Sequence, residues 1–357
     1  MSRKRASRGS ERSARANSDG APACVRFWSS PVNFCPSAGA DYAWRSVSAA
    51  TLADAPAQSV PPQARSRREL GEWLTFAAFV TPNLLLLAIF SYWPLLQNLA
   101  LSFTEWDMIS PDKRFVGLDN WVTIVTSNRF WQIALNTATF TIGSVGFTLV
   151  LGLLLALLLN QQLRFRNGAR TVLFTPTVLS GAAVAIVWYF IFDPNWGMLK
   201  TALGWVGIPS PRWVVDVHWA MPAVIIVYVW KTVGYAAVIF LAGLQGIPRE
   251  LYEAARVDGA NAWDRFRWVT LPGLAPITFF LMVTTILLSF QAFDIINVMT
   301  AGGPVIATTT LLYEYYNQAF VAFHAGNAAV YAVMLFALML ILTVIQLRYV
   351  ERRVTYG

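Results

Sequence analysis

One lysine stands alone in the middle of a long apolar stretch. From Trp219 to Leu241 the only charge is Lys231. An ammonium at the centre of a bilayer is costly unless it faces a bundle interior or a watery cavity. Snorkelling to an interface is the other option for a lysine in lipid, and a central position works against it. On a helix, Tyr228 and Tyr235 share the face of Lys231, being three and four residues away, and Thr232 adjoins it. Hydroxyls around one cation suit the holding of a polar solute, not the breaking of bonds. Nothing else in the chain offers bond-breaking chemistry. There is no G-x-x-x-x-G-K-[ST] phosphate cradle, so ATP hydrolysis by this chain is not expected. The cysteines Cys24 and Cys35 and the histidines His218 and His324 are the only ones present, and they are far apart. That excludes a Cys-His or Ser-His-Asp constellation, a metal site and a disulfide framework. The expectation is no enzyme, no catalytic residue, no metal and no cofactor in this chain.

The elements that position Lys231 are membrane helices. The chain is 56% hydrophobic and 13% charged, with 15 Trp and 23 Phe, whereas soluble domains carry about a quarter charged residues. Six nearly charge-free stretches follow one another: Trp73 to about Asn98, about Ala134 to Leu159, Thr171 to Phe192, Trp219 to Leu241, Leu274 to Phe293, and about Asn327 to Leu347. Each is long enough to cross a bilayer as a helix, the only spanning form plausible here. The fold class is therefore all-α membrane protein with six transmembrane helices. Pro82, Pro176 and Pro222 fall in or near span ends, where kinks are tolerable. Counting Lys and Arg beside the spans gives 13 on one face and 5 on the other. The positive-inside bias then places both termini in the cytoplasm. The net charge of +8 is explained by topology and lipid headgroups, with no nucleic-acid partner. Residues 1–69, rich in Ser, Arg, Ala and Pro, read as a disordered basic cytoplasmic tail or as a start codon placed too far upstream, with an organelle transit peptide as a further alternative. Residues 70–357 form the membrane domain.

Between the fourth and fifth spans, residues 249–272 are polar and amphipathic. Tyr252 to Val257 reads as a helical turn or two, broken by Asp258-Gly259, since glycine takes positive φ cheaply. Asn261 can cap a second short helix, with Asp264 in its first turn. Leu271-Pro272 is expected to stop that helix and hand the chain to the fifth span.

This loop, Glu253-Ala254-Ala255, three residues, Gly259-Ala260, Phe266 and a terminal Leu271-Pro272, resembles the signature loop of ABC-importer permeases. The resemblance covers roughly residues 70 to 357. Further passages resemble the carbohydrate branch, the maltose-type and glycerol-3-phosphate-type permeases: Phe115 to Trp121, Leu173 to Ser180 followed by Ile191 to Pro194, Gly302-Gly303-Pro304 with Thr308-Thr309-Thr310 and Tyr313, and Arg348 to Glu351. The chain looks like the shorter six-span type, without the extra spans and large external domain of many maltose permeases.

The resemblance implies a type I ABC importer permease fold with cytoplasmic coupling helices. Carried over by position, Glu253, Ala254, Ala255, Asp258, Gly259 and Ala260 would contact an ATPase subunit, while Arg265 and Arg267 serve either topology and lipid contact or the partner. Substrate contacts would come from Tyr228, Lys231, Thr232 and Tyr235, and from Thr285, Ser289, Gln291 and Asp294. Two positions depart from the maltose pattern: Ala292 stands where an amide is expected and Lys231 where an apolar residue is expected. Trp188, Tyr189, Trp230 and Phe293 read as packing or belt residues, with stacking on sugar rings as the alternative. The implied partners are a second homologous permease, two ATP-binding subunits that hold the ATP and Mg, an extracytoplasmic solute-binding protein and membrane lipid. The implied place is the bacterial cytoplasmic (inner) membrane, as a multi-pass protein. The implied function is translocation of a sugar driven by partner ATP hydrolysis. A glycerol-3-phosphate or related polyol-phosphate permease is the alternative. An ion-coupled secondary transporter is the more distant one, since paired intramembrane carboxylates and inverted repeats are not apparent.

Overall fold

The computed structural model describes residues 63–161 and 166–350; the tail expectation for residues 1–62 lies outside them. By its contacts the chain divides into Met1–Phe76 and Ala77–Gly357. Of the first unit only the start of helix α1 (Gln63–Leu87) is described, and it begins within the stretch assigned to the tail. A π turn at Ala88–Tyr92 leads into α2 (Trp93–Leu101), then the hairpin β1 (Thr104–Glu105) and β2 (Arg114–Phe115), α3 (Asp119–Thr126) and α4 (Asn128–Leu159). Next come α5 (Arg166–Val178), α6 (Gly181–Ile191), α7 (Met198–Trp205) and α8 (Val217–Gly246). The loop segment holds α9 (Arg249–Val257), α10 (Ala262–Arg265), a π turn at Phe266–Thr270 and α11 (Leu271–Gly273). The chain ends with α12 (Ala275–Phe290), α13 (Asp294–Met299), α14 (Leu311–Tyr316), a π turn at Asn317–Val321, and α15 (Ala325–Ile345) with a further π turn at Gln346–Val350.

Four continuous helical stretches are long and apolar enough to cross a membrane: Gly71–Leu101, Asn128–Leu159, Val217–Gly246 and Ala325–Arg348. The other two expected spans are corrected. The third is not one helix: α5 and α6 meet at a bend of 101° across Leu179-Ser180. Pro176 lies in the last turns of α5, and Ser180 is extended at ψ 135°, so the α-helical bonding lapses there. The fifth is shorter than expected. Its helix α12 has 16 residues, about 24 Å by its rise, and gives way to irregular backbone at Gln291–Phe293. The helix before it does not stop at Leu271-Pro272. It runs to Gly273 and bends by 62° at Leu274. Pro272 follows directly on the π turn at Phe266–Thr270, and lacking an N–H it leaves the ladder one bond short just before the bend.

Helix α8 is the axis of the bundle; half of its membrane window is buried, against a third of α4 and none of Gly71–Leu101. Glycines let its neighbours approach closely. A Cβ on Gly152 of α4 would lie 2.8 Å from the Ala236 methyl, and one on Gly234 of α8 would lie 1.8 Å from the Leu173 carbonyl of α5. Gly234→Ala is therefore expected to push α5 off α8 and destabilise by about 3 kcal/mol, the upper end of overpacking costs. Thermal unfolding of the purified protein in detergent checks this, with Gly204→Ala, which meets nothing within 4 Å, as the control. Equal midpoints for the two variants would contradict the contact.

The apolar core forms three clusters, the first around Phe140, Phe192, Val224, Val227 and Ile296, the second around Leu159, Phe240, Leu244, Leu274 and Leu281, and a third, without residues of α8, around Ile133, Phe290, Val330 and Tyr331. Along α8 the first cluster runs to Tyr228 and the second begins at Ala236. Lys231 and Thr232 lie between them.

Of the other passages, those at Phe115 to Trp121, Ile191 to Pro194 and Gly302 to Tyr313 are fasteners, Leu173 to Ser180 forms the bend already described, and Arg348 to Glu351 runs out of the described residues. Asn120 Nδ2 donates to the carbonyls of Ser102 and Thr104 at 3.2 and 2.9 Å, Gly117 has φ +61°, and Trp121 Nε1 donates to Ser102 Oγ at 3.2 Å. Thr309 and Thr308 hydroxyls donate to the Gly302 and Gly303 carbonyls at 2.9 and 2.8 Å. Asn136 Nδ2 of α4 donates to Ile306 and Thr309 carbonyls at 2.6 and 3.2 Å. Gly302 must be glycine, since its φ is +76° and a Cβ would meet the Tyr313 ring at 2.4 Å. At the exit of α6, Asp193 Oδ1 accepts from the Asn195 and Trp196 amides, both at 2.8 Å. Those bonds hold its carboxyl below the usual range.

Candidate functional site

A cavity of about 520 Å³ opens where the first two apolar clusters part. Four elements of helix α8 reach it at one level: Tyr228, Lys231, Thr232 and Tyr235. Helix α4 adds Ser144 and Thr148, α5 adds Thr177, and α6 adds its first residue, Gly181. From the other side come Thr285 and Leu288 of α12, the irregular Gln291, Ala292 and Phe293, and Asp294 and Ile295 of α13. Both breaks in helix continuity therefore lie on the cavity wall. Irregular backbone at membrane depth is tolerated where it lines such a space.

Seven of the eight expected substrate-path residues are thus brought together: Tyr228, Lys231, Thr232, Tyr235, Thr285, Gln291 and Asp294. Ser289 is the correction. It is 3% exposed; its hydroxyl donates to the Ile286 carbonyl at 2.8 Å and lies 3.2 Å from Thr141 Oγ1, whose proton it can accept, which fastens α12 to α4. Four residues beyond Thr285, it has turned just past the cavity edge. Of the aromatic candidates, Phe293 lines the cavity and stacks on Tyr313, ring centres 6.0 Å apart. Trp188 and Trp230 pack edge-on at 5.5 Å and Tyr189 on Phe190, away from the lining.

Thr177 organises the polar wall. Its hydroxyl donates to the Lys231 carbonyl at 3.0 Å, and its carbonyl lies 3.4 Å from Lys231 Nζ. Thr148 and Thr232 hydroxyls meet at 3.2 Å. Asp294 sits against α6, since a Cβ at Gly181 would lie 3.0 Å from its Oδ2.

The second feature is the loop between α8 and α12. Glu253, Ala254, Asp258 and Gly259 are exposed, and Ala255 and Ala260 are half-buried. Gly259 has φ +82° with open space around it, as its place in the break requires. Asn261 Oδ1 accepts from the Trp263 and Asp264 amides at 2.8 and 3.0 Å, and Asp264 Oδ2 accepts from the Asn261 amide at 3.2 Å. This reciprocal capping box fixes the start of α10. Arg265 has a role the sequence did not reveal: its Nη1 donates to the Ala260 carbonyl at 2.8 Å, clamping the turn from within. Tyr252 and Thr270 hydroxyls lie 3.0 Å apart and tie α9 to the helix that follows. Around this rigid piece Leu251, Val257, Trp263 and Trp268 are exposed at 52%, 88%, 65% and 70%, an apolar surface ringed by Arg256, Arg265 and Arg267.

One further pair escaped the sequence reading. Glu314 of α14 is fully buried and accepts from Arg129 Nη2 at 2.9 Å and Nε at 3.3 Å, and from Gln318 Nε2 at 2.9 Å. Its signal was weak, because Glu314 lies among tyrosines in a segment that looked external. Among the described residues there is no group of His, Cys, Asp and Glu able to hold a metal.

The chain is similar to known proteins over most of its length. The family model described as binding-protein-dependent transport system inner membrane component matches residues 148–356. The sn-glycerol-3-phosphate transport system permease protein UgpA of Yersinia pestis bv. Antiqua (strain Antiqua) is 36% identical over 285 residues, covering 80% of this chain and 96% of that one. The protein of the same name from Agrobacterium fabrum is 36% identical over 281 residues, 78% and 95% of the two chains. A probable ABC transporter permease protein of Pyrococcus horikoshii is 35% identical over 268 residues, 74% and 92%. In fold, the chain is similar to a crystal structure of a bacterial ABC transporter involved in import of the acidic polysaccharide alginate. There the TM-score is 0.70 at 23% identity, covering 81% of this chain and 99% of that one.

Proposed function

We propose a function from one premise: the chain belongs to the family of binding-protein-dependent transport system inner membrane components. It is a permease subunit of an ABC importer, with the helical fold of type I importer permeases. In the reading we favour, the chain works in the bacterial inner membrane with both termini cytoplasmic. It pairs with a second permease, rests on two ATP-binding subunits through Glu253 to Ala260, and receives solute from an extracytoplasmic binding protein. ATP-driven closure below pushes on the clamped loop, tilts the helices, and opens the mid-membrane cavity outward. Reopening releases the solute inward.

The solute belongs to the carbohydrate class. The observation that carries this is the convergence of seven sequence-flagged polar residues on one cavity rich in hydroxyls, which suits a ligand recognised through many hydrogen bonds. The second reading, a phosphorylated polyol, is favoured by the relatives named for sn-glycerol-3-phosphate at 36% identity. Uptake of labelled sugars and labelled sn-glycerol-3-phosphate by cells expressing the complete importer tests both. The expected result is accumulation of one labelled compound that stops when ATP is depleted or the ATP-binding subunit is deleted. Accumulation that persists without the ATP-binding subunit would replace the importer with a self-sufficient carrier.

A further inference from the structure

Lys231 and Asp294 are the two charged side chains on the cavity wall. Among the described residues no ion pair joins them, since the salt bridges found are Arg114–Glu105 and Arg129–Glu314. They differ sharply in how they are satisfied.

The Lys231 ammonium has three donors. Its one acceptor among the described residues is the Thr177 carbonyl at 3.4 Å, a long contact for a charged donor. It lies at the midpoint of α8, at a depth where an incompletely solvated cation is expensive. The lining near it adds hydroxyls among apolar side chains. Those of Ser144, Thr232 and Thr285 donate to helix carbonyls and offer lone pairs, while the phenols of Tyr228 and Tyr235 can donate to an anionic oxygen.

Asp294 lines the same cavity in another setting. It is in the first turn of α13, and its carboxylate lies against Gly181, the first residue of α6. A carboxylate accepts hydrogen bonds and donates none, so what it can hold is a donor. Gln291 beside it adds one amide. The cavity lining therefore carries one cation, beside Thr177 of α5, and one anion, beside Gly181 of α6, with no ion pair between them.

Resting on the importer reading above, we propose that this cavity selects an acidic polyol and holds it in one orientation. The phosphate or carboxylate of the ligand lies on Lys231, and its hydroxyls point to Asp294 and Gln291. A neutral sugar would leave Lys231 without a counter-charge, and an anion placed the other way round would meet Asp294.

Initial uptake rates in cells expressing the complete importer test this with four labelled probes: sn-glycerol-3-phosphate, glucuronate, glucose and serine. Wild type is compared with Lys231→Met and Lys231→Arg, with membrane levels read by immunoblot. Lys231→Gln takes the place of Lys231→Met if the latter fails to reach the membrane. The expected result is ATP-dependent uptake of one or both acids. Its KM should rise roughly tenfold or more on loss of the charge and recover most of the way in Lys231→Arg. The two acids separate a phosphate ligand from a carboxylate one. Uptake of an acid that is indifferent to Lys231 would overturn the proposal. So would uptake of glucose alone, or of serine, whose own ammonium would pair with Asp294 in place of hydroxyls; in both cases the importer assignment stands. ATP-dependent uptake of none of the four would overturn the importer's carbohydrate reading together with the proposal.

Discussion

Glu253→Lys, in an otherwise intact importer, is expected to cut ATP-dependent uptake by roughly tenfold or more, because like charges set against each other at an interface cost several kcal/mol. Glu253 is exposed on α9, so the change leaves the fold alone and alters only what another protein meets. The neighbourhood is already basic. Arg256 follows one turn on, and Arg265 and Arg267 lie on the next helical segment. Reversing the acid removes a negative charge in the middle of α9 that could pair with a basic group on the ATP-binding subunit, leaving Glu250 and Asp258 at its ends. The measurement is uptake together with co-purification of that subunit. Lost uptake with retained membrane level and weakened co-purification is the expected pattern. Full uptake with normal co-purification would remove Glu253 from the coupling contact.

Arg129→Ala should be the most destabilising single change to the polar framework. Glu314 has no exposed surface, and Arg129 supplies two of its three hydrogen bonds. Removing the cation strands a buried carboxylate, a cost of about 3 to 5 kcal/mol. Glu314→Gln is expected to cost distinctly less, because the half-exposed Arg129 can turn to solvent or headgroups and Gln318 keeps a neutral partner. The two variants, unfolded thermally in the same detergent, should therefore fall in that order. Glu314→Gln falling as far as Arg129→Ala would show that the carboxylate itself, and not the stranding of a charge, governs this corner of the fold.

Much of the membrane domain was legible because bilayer physics allows few solutions. Long apolar runs must be helices, and a mid-run lysine must face a cavity. Lys231, Tyr228 and Tyr235 were found from helical spacing alone. The loop was legible from local chemistry, since Asn261 and Asp264 at cap spacing and Gly259 at a break act over a few residues. What stayed hidden depends on distance in sequence or on continuity. The bend at Leu179-Ser180 lies inside an unbroken apolar run, where hydropathy cannot separate one span from two half-helices. Ser289 differed from Thr285 only in which side of α12 it faced. The partners of Arg129 and Arg265, one of them 185 residues away, left no periodic trace.

The broken helices carry one last consequence, for leakage. Where α6 and α13 begin, their first amides have no partner inside their own helices, and both starts border the cavity. Such groups favour water or solute beside them. A cavity lined in this way suits water, and a water-filled path conducts protons and small ions. The resistance that protects the membrane potential has to reside elsewhere along the path, in a dry plug. The side chains suited to that duty are those of the second apolar cluster, Leu159, Phe240, Leu244 and Leu281, which lie beyond the lysine towards the coupling loop and have to part only when the solute is released inward.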